Sequence, residues 1–132
     1  MWRLSLVFFG SGVGGALRYL VYGWVVTRYG GAFPYGTIVI NVAGSFLLAL
    51  ILQVGVNTAW IHADVQLALT AGVLGGFTTY SAFNYESLWL FGRGSVLLGA
   101  LNIAVTVAGC LGAGVAGLVL GRLLSPINLP PS

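Results

Sequence analysis

Polar side chains interrupt otherwise apolar stretches of this sequence at spacings that could carry chemistry. Thr37, Asn41 and Ser45 recur every fourth residue, which puts them on one face of a helix. Asn102 and Thr106 repeat that spacing further along the chain. Amides and hydroxyls so arranged either bond across a helical bundle or line a polar path, and the residues alone leave both open. The run Gly72 to Glu86 is the most unusual, with Gly75-Gly76-Phe77-Thr78-Thr79 at its centre. Glycine and β-branched threonine both weaken a helix, so this run predicts a break at Gly75 to Thr78. A break frees backbone carbonyls, which need partners in lipid. A hard cation such as sodium takes carbonyl oxygen readily. Beyond the break, Tyr80 and Phe83 share a face while Ser81 turns elsewhere. Glu86 is expected near the end of its span, where it pairs with an arginine or meets water.

Other chemistries lack their residues. The sequence holds no Ser-His-Asp set, metal-ligand cluster or phosphate loop, so it does not read as an enzyme. His62 stands alone beside Asp64 in a short polar loop and reads as a capping or solvated residue. Cys110 is the single cysteine, sits in an apolar run and reads as packing. The arginines (Arg3, Arg18, Arg28, Arg93 and Arg122) are scattered singly, which is not the basic patch of a nucleic-acid binder. A proton-driven transporter usually needs a membrane-embedded carboxylate, and Glu86 is the one acid that could serve.

The elements that must position these groups follow from composition. The 132 residues are 58% hydrophobic and 5% charged, against roughly a quarter charged in soluble domains. Lipid is therefore the main solvent. Apolar segments cover residues 4–26, 35–56, 64–91 and 95–123, each long enough to cross a bilayer at roughly 20 helical residues per crossing. Strands of a membrane barrel would alternate apolar and polar residues, and these segments do not. The reading is one channel-like domain over residues 1–124 with a loose, proline-containing tail over 125–132. The first apolar run outlasts a signal-peptide core and is read as a retained span. Small-residue ridges at Gly10/Gly14, Ser11/Gly15 and Gly109/Ala113/Gly117/Gly121 predict closely crossing helices. Arg3 and Arg122 fall on one side of four spans, and Arg28 and Arg93 on the other, so the positive-inside rule chooses no orientation. Small counts in a short chain explain the tie; so does insertion both ways with assembly as an antiparallel dimer.

Three motifs stand in order along nearly the whole chain: Gly14-Gly15-Ala16-Leu17-Arg18-Tyr19; Pro34-Tyr35-Gly36-Thr37 with Asn41 and Gly44-Ser45-Phe46; and Gly75-Gly76-Phe77-Thr78-Thr79-Tyr80-Ser81-Ala82-Phe83 with Glu86. Together they resemble the CrcB/Fluc family of fluoride channels. The resemblance implies an all-α membrane protein of four transmembrane helices, the third broken mid-membrane, assembled as a dual-topology antiparallel homodimer in the cell (inner) membrane. It implies two pores that export fluoride passively and so relieve its toxicity. A structural sodium ion, not transported, is implied at the dimer centre on the carbonyls of Gly75 and Thr78. The implied fluoride pathway is Asn41, Phe83, Tyr80 and Ser81, with Asn41 donating amide hydrogens and the rings presenting their positive edges. Arg18 is implied near the aqueous mouth, and Glu86 in a vestibule or structural role. The chain departs from the family's common pattern at Tyr80, where Phe is usual, at Ala82, where Thr is common, and at Asn102, where some members carry Tyr. A second reading is a small dual-topology secondary transporter of cationic compounds, which fits the length and charge balance. It expects a carboxylate deep in the first span, and none is there. An accessory subunit that scaffolds a larger complex is a third.

Overall fold

A computed structural model describes residues 1–57 and 61–125. The first crossing is α1 (Trp2–Tyr29), the second α2 (Tyr35–Asn57) and the last α6 (Val96–Leu124). These three are long and apolar enough to span a membrane uninterrupted. The third crossing is made in pieces: α3 (Ala63–Leu67), a π-helical segment Ala68–Leu74, α4 (Gly75–Phe77) and, after a gap, α5 (Tyr80–Gly92). Each half of it is about 20 Å long at about 1.5 Å per residue. All regular structure among the described residues is helical. The expected loose tail lies, from residue 126 onward, outside the described residues, as do residues 58–60 of the second connection. Ser125 is buried, its hydroxyl donating to the Gly121 carbonyl.

The break falls at the C-terminal edge of the expected Gly75-to-Thr78 stretch, on the threonines and not on the glycines. Gly75 is itself helical, with φ −63° and ψ −37°. The chain leaves the helix at Thr78 (φ −76°, ψ 156°) and Thr79 (φ −151°, ψ 111°). The threonines make the gap. The backbone N–H and the hydroxyl of Thr78 both return to the Leu74 carbonyl at 3.0 Å, closing α4. The Thr79 hydroxyl accepts the Ala82 N–H at 3.3 Å and so caps α5. The glycines serve packing instead. A Cβ on Gly76 would overlap the Ser11 carbonyl, and one on Gly14 would overlap the Val73 carbonyl. Helix α1 therefore crosses the third span backbone to backbone, as its small-residue ridge predicts.

Helix α6 lies along α2, where Gly117 faces the Phe46 carbonyl and Gly121 the Gln53 side chain. It is tied to α5 by a buried polar chain. Asn102, only 1% exposed, donates through Nδ2 to Ser87 Oγ at 2.9 Å and accepts from Thr106 Oγ1 at 3.3 Å. Ser87 in turn donates to the Phe83 carbonyl at 2.8 Å. Asn102 is thus interhelical glue. Interhelical hydrogen bonds in membranes average about 0.6 kcal/mol and reach about 1.7. Asn102→Leu is therefore expected to cost about 1–2 kcal/mol, read as a lowered unfolding temperature in detergent. At the membrane edge, Arg3 Nε donates to Asp64 Oδ1 at 3.0 Å, and His62 Nδ1 accepts the Asp64 N–H at 3.3 Å, which is the expected capping role.

Candidate ion pathway

Asn41 is the pivot of the interrupted span. Its Oδ1 accepts the Thr79 N–H at 2.8 Å, and its Nδ2 donates to the Thr79 carbonyl at 3.0 Å. The side-chain oxygen therefore replaces the acceptor that a continuous helix would have offered the Thr79 N–H, and the side-chain nitrogen adds a donor to the Thr79 carbonyl at the N-cap of α5. The Thr79 N–H, in a helix, would have gone to the Gly75 carbonyl, which is left without that donor. Gly44, one turn along α2, leaves room for the Thr78 side chain. The stripe Thr37–Asn41–Ser45 is thus the seam that meets the broken span. Thr37 Oγ1 donates to Glu86 Oε1 at 2.8 Å, and Ser45 Oγ donates to the Asn41 carbonyl at 2.7 Å.

Beside this clasp lies a groove of about 390 Å³, bordered by Asn41, Ser45, Tyr80 and Phe83 and walled by Thr106 and Cys110 of α6. The rings of Tyr80 and Phe83 have centroids 5.7 Å apart at an interplanar angle of 57°. Phe83 is 9% exposed and Tyr80 77% exposed, so the ring pair runs from the packed core to the outer face of the chain. Of the four residues expected along a pathway, the structure brings Asn41, Tyr80 and Phe83 together. Ser81 borders a separate cleft of about 450 Å³ with Arg18, Tyr19 and Thr79. Its hydroxyl lies 3.4 Å from Thr79 Oγ1. The reason is helical phase: one residue on from Tyr80, a side chain points about 100° away.

Arg18 is half-buried and donates through Nη1 to the Thr78 carbonyl at 3.4 Å. It therefore touches the break directly. Gly75 is exposed on the surface of the chain. Of the two expectations for Glu86, the arginine partner is not found among the described residues. Oε1 is held by Thr37, and Oε2 is buried without a hydrogen-bond partner. Two participants escaped the reading of the sequence. Thr79 is the residue that Asn41 clasps, 38 positions away, and no local spacing signals it. Cys110 borders the groove rather than only packing; its position four after Thr106 on the same face was the available sign.

The CrcB-like protein, Camphor Resistance (CrcB) family matches residues 5–118. The chain is 45% identical over 125 residues to the fluoride-specific ion channel FluC of Anaeromyxobacter dehalogenans (strain 2CP-1 / ATCC BAA-258), covering 95% of this chain and 99% of that one. It is 45% identical over 120 residues to the fluoride-specific ion channel FluC of Sorangium cellulosum (strain So ce56), covering 88% and 94%. The fluoride-specific ion channel FluC of Geobacter sulfurreducens (strain ATCC 51573 / DSM 12127 / PCA) is 41% identical over 121 residues, at 92% and 97% coverage. An all-helical, multi-pass membrane protein is the class that the fold defines. Within that class the chain belongs to the CrcB family.

Proposed function

We propose that this protein is a fluoride-specific channel of the cell (inner) membrane that lets fluoride leave the cytoplasm passively. The observation that carries the reading is the Asn41 clasp with the Tyr80–Phe83 ring pair beside it. Fluoride is small and holds water tightly, so a path must replace that water with donors. A fixed positive charge would trap the ion. The Ser45 hydroxyl is committed to the Asn41 carbonyl and that of Thr106 to Asn102. The donors left to the groove include the second hydrogen of Asn41 Nδ2, the Tyr80 hydroxyl and the weak Cys110 S–H, beside the ring edges. This is a short, weak set, suited to passing an anion rather than holding it. The curated relatives at 45% identity bear the name of that activity.

The functional unit in this reading is an antiparallel homodimer with a structural sodium ion at its centre. Its support is the even split of arginines about the membrane and two under-used carbonyls. Gly75 has lost its helical donor to Asn41, and among the described residues the Thr78 carbonyl accepts the long Arg18 contact alone. Two such carbonyls from each subunit suit a hard cation, which takes oxygen ligands. Sodium bound there would join the subunits. Replacing it by N-methylglucamine during purification is expected to leave less dimer on size-exclusion chromatography.

The function is tested in liposomes. Purified protein is expected to release trapped fluoride within seconds of adding a potassium ionophore, with chloride release at background. Comparable release of both ions would remove the selectivity assignment. The transporter of cationic compounds keeps only Glu86 as a candidate coupling acid, and a requirement for a proton gradient would favour it.

A further inference from the structure

The break exposes one peptide unit, the Thr78 carbonyl with the Thr79 N–H, and that unit has lost both of its helical partners. In a continuous helix its N–H would donate to the Gly75 carbonyl, and its carbonyl would accept the Ala82 N–H. Instead the N–H goes to Asn41 Oδ1 at 2.8 Å, and the Ala82 N–H is taken by the Thr79 hydroxyl at 3.3 Å. The carbonyl is left to Arg18, whose Nη1 donates to it at 3.4 Å. Arg18 arrives there by helical spacing. Gly10, Gly14 and Arg18 recur every fourth residue on one face of α1. The two glycines lie against the third span at Gly72, Val73 and Phe77, and the next position along that face reaches Thr78.

A guanidinium is an expensive group to keep here. It stands about 16 Å from the nearer end of α1, at about 1.5 Å per residue, and a charge inside a span calls for a partner. The chain has two acids, and both are engaged elsewhere: Asp64 with Arg3, and Glu86 with Thr37. Arg18 borders the cleft that holds Ser81 and does not border the Asn41 groove, whereas Thr79 borders both. Its charge therefore lies off the path, while its hydrogen bond ends on the peptide unit that Asn41 holds from α2.

We propose that Arg18 is a positioning residue for the pathway: it fixes the plane of the Thr78–Thr79 peptide, and through that peptide the Asn41 amide that borders the groove. This rests on the reading that the groove passes fluoride. The Thr78 carbonyl keeps a second lone pair, so a cation can share it. A charge that merely gathers anions at a mouth would act differently. Its effect fades at about 1 M salt, where the screening length is about 3 Å, and it leaves the peptide unmoved.

The test uses the full-length protein as Arg18→Met, which removes charge and donors, and as Arg18→Lys, which keeps the charge and a donor. Hydrogen–deuterium exchange in peptic fragments covering residues 77–83 reads the peptide independently of transport. The Thr79 amide is expected to exchange at least about tenfold faster in Arg18→Met. In liposomes, fluoride efflux falls at least about tenfold, since a misplacement of about 1 Å can cost about a hundredfold. The preference for fluoride over chloride falls with it, at low salt and in about 1 M potassium gluconate alike. Arg18→Lys recovers part of both losses. Unchanged Thr79 exchange overturns the proposal, and so does an efflux loss that disappears at high salt with selectivity intact. If the parent protein passes no fluoride, the functional reading fails, and the exchange result alone decides whether Arg18 positions the peptide. Arg18→Gln, whose side chain is too short to reach the carbonyl, takes the place of Arg18→Met if that variant does not fold.

Discussion

Asn41→Asp is expected to reduce fluoride efflux by about a thousandfold while the protein still inserts in the membrane. Two effects act together. The amide makes two bonds to one residue, donating to the Thr79 carbonyl at 3.0 Å and accepting the Thr79 N–H at 2.8 Å. A carboxylate keeps the second and loses the first, setting one oxygen against another about 3 Å away. It also places a negative charge beside the path of an anion. Two unit charges 4 Å apart interact by about 4 kcal/mol at an effective dielectric constant of about 20. Each 1.36 kcal/mol is about a tenfold change in rate, which gives the thousandfold figure. A fluoride electrode on reconstituted vesicles reads it directly. Size-exclusion chromatography of the same preparation separates a blocked path from a collapsed fold. Efflux within a few-fold of the parent would show that Asn41 holds the break without facing the ion.

Gly14→Ala is expected to be the most damaging of the small substitutions. The added Cβ would overlap the Val73 carbonyl and stand 2.8 Å from the Phe77 amide nitrogen. Both obstacles are backbone, so no side chain can rotate out of the way. Overpacking typically costs about 1–3 kcal/mol, and more where the backbone must move. Here α1 must separate from the half-helix that leads into the break, so folded protein should fall sharply in yield and efflux should be lost. Gly12 sits two residues earlier with open space around its Cβ position, and alanine there improves helix propensity by up to about 1 kcal/mol. Gly12→Ala should therefore purify as well as the parent. Equal yields for both variants, compared by fluorescence-detected chromatography, would show that the crossing is wrong.

Some of this architecture was legible in the residues, and some needed the fold. The long crossings follow from composition, because a chain with 5% charged residues has no other solvent but lipid. The third span was legible as the irregular one, and within the expected stretch Gly75 to Thr78 the break falls at its end, on Thr78 and on Thr79 beyond it, with the glycines staying helical. Glycine carries two meanings, helix weakness and close approach. Which one applies depends on whether α1 lies against it, and that is not a local property. Asn41 was legible as a polar residue on a stripe. Its clasp on Thr79 was not, since the partner's backbone is exposed only by the break itself. Ser81 went to the Arg18 cleft for the helical phase already visible in its spacing from Tyr80. Glu86 was legible as the one acid that could serve inside a span, but not its tie to Thr37 nor its second oxygen, buried without a hydrogen-bond partner. The π-helical segment Ala68–Leu74 had no signature in the residue pattern.

The central claim is that the groove beside the Asn41 clasp passes fluoride and rejects the larger halide. Reversal potential in a planar bilayer tests it most directly, with a tenfold fluoride gradient opposed by an equal and opposite chloride gradient. A fluoride-selective path predicts reversal close to the fluoride equilibrium potential, about 59 mV in magnitude for a monovalent ion. Reversal near zero, with the two anions sharing the current, would contradict it.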